Sequence, residues 1–123
     1  MPEFVLERIR EIMDENGITD VSRVGLYGLT YKEDVDDVRE SPSLQLLESM
    51  RRHLGGKIRA YDPFINTSLC EGQVFDFDEF LNEVDIVVVM TAHTHIKENV
   101  ARLNDKIVFD TRNVIPGDNI YKL

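Results

Sequence analysis

The sequence is poor in the features that stabilise secreted or membrane proteins. It has no tryptophan among its 123 residues. It also has a single cysteine, Cys70, so an intramolecular disulfide is impossible. Its longest apolar run, Ile86 to Met90, is far short of the roughly 20 residues that span a bilayer. The N-terminus also lacks the basic and apolar pattern of a signal peptide. We therefore expect a cytoplasmic protein with no membrane partner.

Positive charge is also scarce. The chain carries 14 Lys and Arg against 23 Asp and Glu, a net charge of −9. Because nonspecific binding to nucleic acids or anionic membranes depends on clustered cations, we expect neither as a partner. The length suits one domain with its own hydrophobic core, and the sequence shows no repeat or linker. Residues 1–123 are therefore predicted to form a single domain.

Apolar residues recur at helical spacing in several segments. They predict a helix from Pro2 to Asn16 and a second that starts at Ser41-Pro42 and ends at Gly55-Gly56. A third helix is expected after a cap at Asp76 or Asp78, and a fourth over residues 95–103. These segments alternate with shorter runs that favour β-structure.

The β-prone runs cover residues 23–28, 57–61, 85–91 and 106–110, with a possible short strand at 74–75. Within the run 85–91, residues Ile86 to Met90 are continuously apolar and mostly β-branched, which is typical of a central strand covered on both faces of a parallel sheet. The alternation predicts an α/β fold: a doubly wound, Rossmann-like, three-layer domain with a mainly parallel sheet of about five strands.

In such a sheet, ligands bind beyond the carboxyl ends of the strands, near the point where strand order reverses. Three cations follow the first and last predicted strands, in a strongly acidic protein, and they indicate an anion-binding site. The alternative is that they form ion pairs with acidic residues of the first loop. The cations are Lys32, Arg39 and Arg112, and the acidic residues are Glu33, Asp34, Asp36 and Asp37.

Three runs of residues carry a family resemblance. They are Gly25-Leu-Tyr-Gly-Leu-Thr-Tyr-Lys-Glu-Asp-Val-Asp-Asp-Val-Arg-Glu-Ser-Pro42, Tyr61-Asp-Pro63 and Asp110-Thr-Arg-Asn113. In this order they resemble the C-terminal, UDP-sugar-binding domain of nucleotide-sugar 6-dehydrogenases. The segment Val35-Asp-Asp-Val38 is most similar to the branch that oxidises UDP-N-acetylmannosamine or UDP-N-acetylglucosamine.

The resemblance implies a function and a set of site residues. Enzymes of this family oxidise the sugar 6-hydroxyl twice and pass two hydrides to two NAD molecules. The sugar reaches the uronic acid through a cysteine-bound intermediate. By position, Tyr31, Lys32 and Arg112 match residues that contact the UDP-sugar. Arg39 matches an arginine that reaches NAD held mainly by another domain. No metal is implied, and the full-length enzyme is expected to be a homo-oligomer.

The sequence departs from the family in what it omits. It lacks the N-terminal NAD-binding domain and the central domain with the nucleophilic cysteine, so we expect no catalytic residue and no activity from this chain alone. Gly25-x-x-Gly28 lacks the third glycine of a dinucleotide-binding fingerprint. Cys70 lies beside Glu71, which disfavours a thiolate, and His93 and His95 lack further ligands at metal-binding spacing.

Two functions of other classes remain open at this point. A phospho-acceptor receiver domain has similar length, acidity and β/α alternation, but it needs an acidic pair directly after the first strand. A stand-alone nucleotide-sensing domain of similar fold would bind its ligand with full affinity without partner domains, because fold alone does not determine function.

Overall fold

The computed structural model describes residues 2–30, 32, 34–35, 41–54, 58–115 and 120–122. Its helices are α1 (Pro2–Glu15), α2 (Pro42–Leu54), α3 (Phe77–Glu83) and α4 (Thr94–Glu98), with 3-10 turns at Val21–Arg23 and Val100–Leu103. The strands are β1 (Val24–Tyr27), β2 (Arg59–Tyr61), β3 (Ile86–Val89), β4 (Ile107–Asp110) and β5 (Tyr121–Lys122). Within these ranges, no helix has the length and apolar character needed to cross a membrane.

The strands form one sheet in the order β2-β1-β3-β4-β5, and every neighbouring pair is parallel. The chain runs from β1 to β2 on one side and then crosses to β3 on the other, so strand order reverses between β1 and β3. All four residues of β3 are buried, as expected for a central strand. The predicted parallel α/β sheet is therefore confirmed.

Two hydrophobic clusters cover the two faces of the sheet. One contains Leu26 and Val88 packed with the apolar sides of α1 and α2. The other contains Tyr27 and Val89 packed with α3, α4 and the 3-10 turn after it. Adjacent strand residues thus point to opposite faces, as the pleat requires, and helices lie on both sides. This is the predicted three-layer arrangement.

Two local predictions differ from the structure, and one short strand was not predicted. The fourth helix, expected over 95–103, is divided at Asn99 into α4 and the 3-10 turn. The Asn99 side chain donates to the carbonyl of His95 at 2.7 Å, a local bond that competes with continued helix. The predicted strand at 74–75 is only an isolated bridge between Ala60 and Gln73. The two-residue strand β5 was not predicted, because it is too short to show a pattern.

Candidate ligand-binding site

Because the sheet is parallel, the segments that follow β1, β2, β3 and β4 meet at one edge, which we call the carboxyl edge. At this edge Gly28, the first residue after β1, lies against Thr91, which follows β3. Gly28 has φ +98°, and a Cβ atom on it would lie 2.5 Å from Cβ and 2.7 Å from the backbone nitrogen of Thr91. Only glycine suits this position, so the loop after β1 begins in direct contact with the segment after β3.

Asp62, the first residue after β2, is buried and bonds to the loop after β1. Its Oδ2 accepts from the backbone N–H groups of Leu29 at 2.7 Å and Thr30 at 3.3 Å. Its Oδ1 accepts from the N–H of Phe64 at 2.8 Å. The Asp62 carboxylate therefore links two neighbouring segments of the carboxyl edge.

His93, which follows β3, is completely buried and continues this network. Its Nδ1 accepts from the backbone N–H of Asp34 at 2.8 Å, so the ring proton is on Nε2. Nε2 lies 2.9 Å from Asp62 Oδ2 and 3.3 Å from the Thr30 hydroxyl oxygen. A neutral imidazole therefore connects the ends of β1, β2 and β3.

Two threonines complete the connection between the loops after β1 and β3. The Thr91 hydroxyl donates to the Thr30 carbonyl at 3.0 Å. The Asp34 carboxylate accepts from the backbone N–H and the hydroxyl of Thr94, both at 2.7 Å. These two bonds hold the pKa of Asp34 below its ordinary value. The carboxylate of Asp34 is therefore committed to Thr94 and does not neutralise Lys32.

Lys32 lies between these anchored residues. Its carbonyl accepts from the Thr30 hydroxyl at 2.8 Å, and its side chain is exposed to solvent. Among the described residues, nothing forms a hydrogen bond or ion pair with its ammonium group. The other predicted site residues of this loop, Tyr31 and Arg39, lie outside the described residues, as do Glu33, Asp36 and Asp37.

Arg112 is presented by a second buried carboxylate, that of Asp110 at the end of β4. Oδ1 of Asp110 accepts from the Arg112 N–H at 3.0 Å. Oδ2 accepts from the N–H groups of Val114 at 2.6 Å and Ile115 at 2.7 Å, and from Lys122 Nζ at 3.0 Å. Burial raises the pKa of Asp110, but the bonds from Ile115, Lys122, Arg112 and Val114 outweigh it and hold that pKa below its ordinary value.

The Arg112 side chain itself is exposed and has no hydrogen-bond or ion-pair partner among the described residues. β1 and β4 are separated only by β3, which puts their ends about 10 Å apart at the usual strand spacing. The structure therefore brings Lys32 and Arg112 to the same edge of the sheet, on backbone segments that buried carboxylates organise.

Two other candidates from the sequence, Gly25 and Cys70, lie away from this edge. A Cβ atom on Gly25 would lie 2.6 Å from the Phe80 ring, so this glycine allows α3 to pack on β1. Helix packing therefore accounts for the glycine at position 25. Cys70 lines a groove beside α2, where burial raises the pKa of its thiol.

The two histidines singled out as possible metal ligands have different surroundings. His95 Nδ1 lies 2.7 Å from the Tyr27 hydroxyl, and the two rings are nearly parallel. Burial lowers the pKa of His95. His93 does not share these surroundings, because its Nε2 contacts Asp62. The residues that the structure describes contain no group of three or more His, Cys, Asp or Glu suited to a metal ion.

Comparison with known proteins gives a consistent set of relatives. The chain is 30% identical to the UDP-N-acetyl-D-mannosamine dehydrogenase of Methanocaldococcus jannaschii and 32% identical to that of Methanococcus maripaludis strain S2, over 94% of its own length in each case. It spans only 27% and 28% of those proteins. The solved structure of the UDP-D-ManNAc dehydrogenase from Pyrococcus horikoshii matches with a TM-score of 0.82 and 26% identity, covering 99% of this chain and 30% of that one.

These relatives are nucleotide-sugar dehydrogenases and give no support to a receiver or a sensor. In addition, β1 is followed by Gly28, Leu29 and Thr30, not by the acidic pair of a receiver. Residues 25–117 match the model of the UDP-glucose/GDP-mannose dehydrogenase family, UDP binding domain. This match covers most of the chain and includes every strand from β2 to β4. The chain therefore belongs to the UDP-glucose/GDP-mannose dehydrogenase family.

Proposed function

We propose that this chain is the UDP-sugar-binding part of an NAD-dependent nucleotide-sugar 6-dehydrogenase. The observation that carries the proposal is the pair Lys32 and Arg112 at the carboxyl edge, beside the reversal of strand order. Both are cations without partners among the described residues, in a protein of net charge −9. An anionic diphosphate is the ligand chemistry that this arrangement favours.

The two cations suit different parts of such a ligand. Lysine offers a mobile point charge, whereas arginine offers a planar fork that can bind two phosphate oxygens. From the family resemblance, Tyr31 joins them at the UDP-sugar and Arg39 contacts NAD. Because the relatives include UDP-N-acetyl-D-mannosamine dehydrogenases, we propose a UDP-N-acetylhexosamine as the substrate, with UDP-N-acetyl-D-mannosamine as the first to be tested.

We assign the remaining chemistry to the rest of the full-length enzyme. NAD, when bound there, supplies the two hydride acceptors that oxidation of a 6-hydroxyl to a carboxylate requires. Gly25 serves the packing of α3 on β1, and the single thiol, Cys70, lines a groove beside α2. The role of this domain is therefore to hold and orient the UDP-sugar. A cytoplasmic location and a homo-oligomeric enzyme remain predictions.

Titration with UDP, followed by heteronuclear NMR, tests this proposal on the chain itself. We expect weak binding, because the domain supplies one wall of a cleft. We expect Lys32→Ala or Arg112→Ala to weaken it by about tenfold, the typical loss for a hydrogen bond to a charged group in a wet site. Arg52→Ala is the matched control, since Arg52 is an exposed arginine near the end of α2, paired with Glu48.

The outcomes separate the competing functions. Equal affinities in the wild type, Arg112→Ala and Arg52→Ala would contradict the assigned site. A nanomolar affinity in the wild type would favour a self-contained sensor. We also expect no reduction of NAD with UDP-N-acetyl-D-mannosamine, and turnover that disappears in Cys70→Ala would contradict the assignment of the nucleophile to another part of the enzyme.

A further inference from the structure

We infer that His93 is a positioning residue for ligand binding, because it fixes the backbone segment that carries Lys32. This inference rests on the proposed function, since the ligand that Lys32 contacts is taken to be a UDP-sugar. His93 itself is completely buried and does not need to touch the ligand. Its effect passes through the backbone of Asp34.

The described residues on either side of Lys32, Thr30 and Asp34, are each held by hydrogen bonds. At Thr30, the N–H donates to Asp62 at 3.3 Å and the carbonyl accepts from Thr91 at 3.0 Å. At Asp34, the N–H donates to His93 at 2.8 Å. Lys32 lies two residues from each anchor, so the position of its backbone depends on both.

The position of His93 requires a side chain that donates on one side and accepts on the other. Asp62 presents a carboxylate oxygen at 2.9 Å, and Asp34 presents a backbone N–H at 2.8 Å. A neutral imidazole meets both demands with one rigid ring. Phe64 packs against that ring with a centroid distance of 4.8 Å. With the ring fully buried, water cannot readily replace either bond.

Two substitutions separate the bonds of His93. The asparagine amide oxygen lies where Nδ1 of histidine lies, so His93→Asn keeps an acceptor for the Asp34 N–H and loses the contact with Asp62. The longer glutamine amide reaches the position of Nε2, so His93→Gln keeps the contact with Asp62 and leaves the Asp34 N–H without an acceptor. If His93 acts by holding Asp34, the two variants must differ in ligand affinity.

The size of the difference follows from the population of the anchored segment. When only a fraction of molecules holds the segment in place, the apparent dissociation constant rises by the inverse of that fraction. Loss of one neutral hydrogen bond corresponds to about a three- to tenfold change. We therefore expect His93→Gln to weaken UDP binding three- to tenfold, and His93→Asn to recover most of the wild-type affinity.

The test combines the UDP titration with amide hydrogen exchange in the absence of ligand. Exchange at the Asp34 amide should accelerate in His93→Gln and stay slow in His93→Asn. His95→Gln is the matched control, since it removes a second partly buried histidine, bonded to Tyr27, and leaves the Asp34 bond in place. It should lower the unfolding temperature without changing UDP affinity. If His93→Gln does not fold, Thr94→Val removes a hydroxyl bond to Asp34 at an exposed position, and we expect it to weaken UDP binding two- to threefold.

The inference is overturned if His93→Gln binds UDP as the wild type does, or if both His93 variants lose affinity equally. It is also overturned if Thr94→Val, used in place of an unfolded His93→Gln, leaves UDP affinity unchanged. A wild-type chain that does not bind UDP overturns the proposed function and the ligand-positioning role with it. In that case the exchange rate of the Asp34 amide still tests separately whether His93 holds Asp34, because it reports that bond without any ligand.

Discussion

Substitution Asp110→Asn tests how much one buried carboxylate contributes to the loop that presents Arg112. The wild-type carboxylate accepts three backbone N–H groups and the Lys122 ammonium. Asparagine keeps the shape but has only one acceptor oxygen and no charge. If that oxygen replaces Oδ2, the amide NH₂ faces the N–H of Arg112, and two donors confront each other.

The expected loss in the free energy of unfolding is about 3 to 4 kcal/mol. Bonds to a charged acceptor contribute about 1.5 to 3 kcal/mol and neutral ones about 0.5 to 1.5 kcal/mol, so each of the three bonds at Oδ2 weakens by about 1 kcal/mol. The unsatisfied N–H of Arg112 adds to this, while the partial exposure of Lys122 reduces it. For a chain of this length the unfolding temperature should fall by about 12 to 16 °C.

Urea unfolding at pH 7 measures this loss, and Asp105→Asn is the control, because Asp105 is exposed on the turn before β4. The pKa of Asp110 is held below its ordinary value, so its stabilisation is present above about pH 4 and is lost as the pH falls through the lower, folded-state pKa. The difference between wild type and Asp110→Asn should therefore shrink in acid. A loss below about 1 kcal/mol at pH 7 would refute the assigned role of this carboxylate.

Two further predictions concern other parts of the fold. Gly28→Ala should destabilise the chain by about 3 kcal/mol or more in urea unfolding, because it combines a positive φ with a Cβ contact of 2.5 Å to Thr91. Gly17→Ala is the control: Gly17 also has a positive φ but has open space around it, so this substitution should cost only about 1 kcal/mol. Equal losses would contradict the close approach of Gly28 to Thr91. Burial lowers the pKa of His95, so its neutral form stabilises the fold above about pH 6.5, and this stabilisation is lost as the pH falls towards the lower, folded-state pKa. The stability advantage of the wild type over His95→Gln should therefore be smaller at pH 5.5 than at pH 7.5. An unchanged difference would show that His95 is not held neutral.

The sequence predicted most of the architecture, because the elements with strong patterns are those that bury one face or both. The apolar run around β3 and the capped start of α2 both indicated their structures clearly. The short elements could not be predicted in the same way. β5 contains two residues, and the division of α4 depends on one side-chain bond from Asn99 to the carbonyl of His95.

The candidate site could be predicted in its charged residues but not in its supporting network. Lys32 and Arg112 stand out because they follow strands in an acidic chain, and the family resemblance assigns them a ligand. Asp62 lies in one of the runs that resemble the family, and His93 was considered as a metal ligand, but neither signal indicates that the two residues bond to each other. They are 31 residues apart in the sequence, and only the folded chain brings them within 2.9 Å.

The bonds of Asp62 also have a consequence for how this edge can recognise phosphate. At a reversal of strand order, free backbone N–H groups commonly bind the ligand's anion directly. Here the N–H groups of Leu29 and Thr30 are already bonded to a carboxylate of the protein itself. The Asp62 carboxylate thus takes up two N–H groups that could otherwise bind a phosphate. Under the proposed function, a diphosphate at this edge depends on the long cationic side chains of Lys32 and Arg112, so its recognition can change through those side chains while the backbone beneath stays the same.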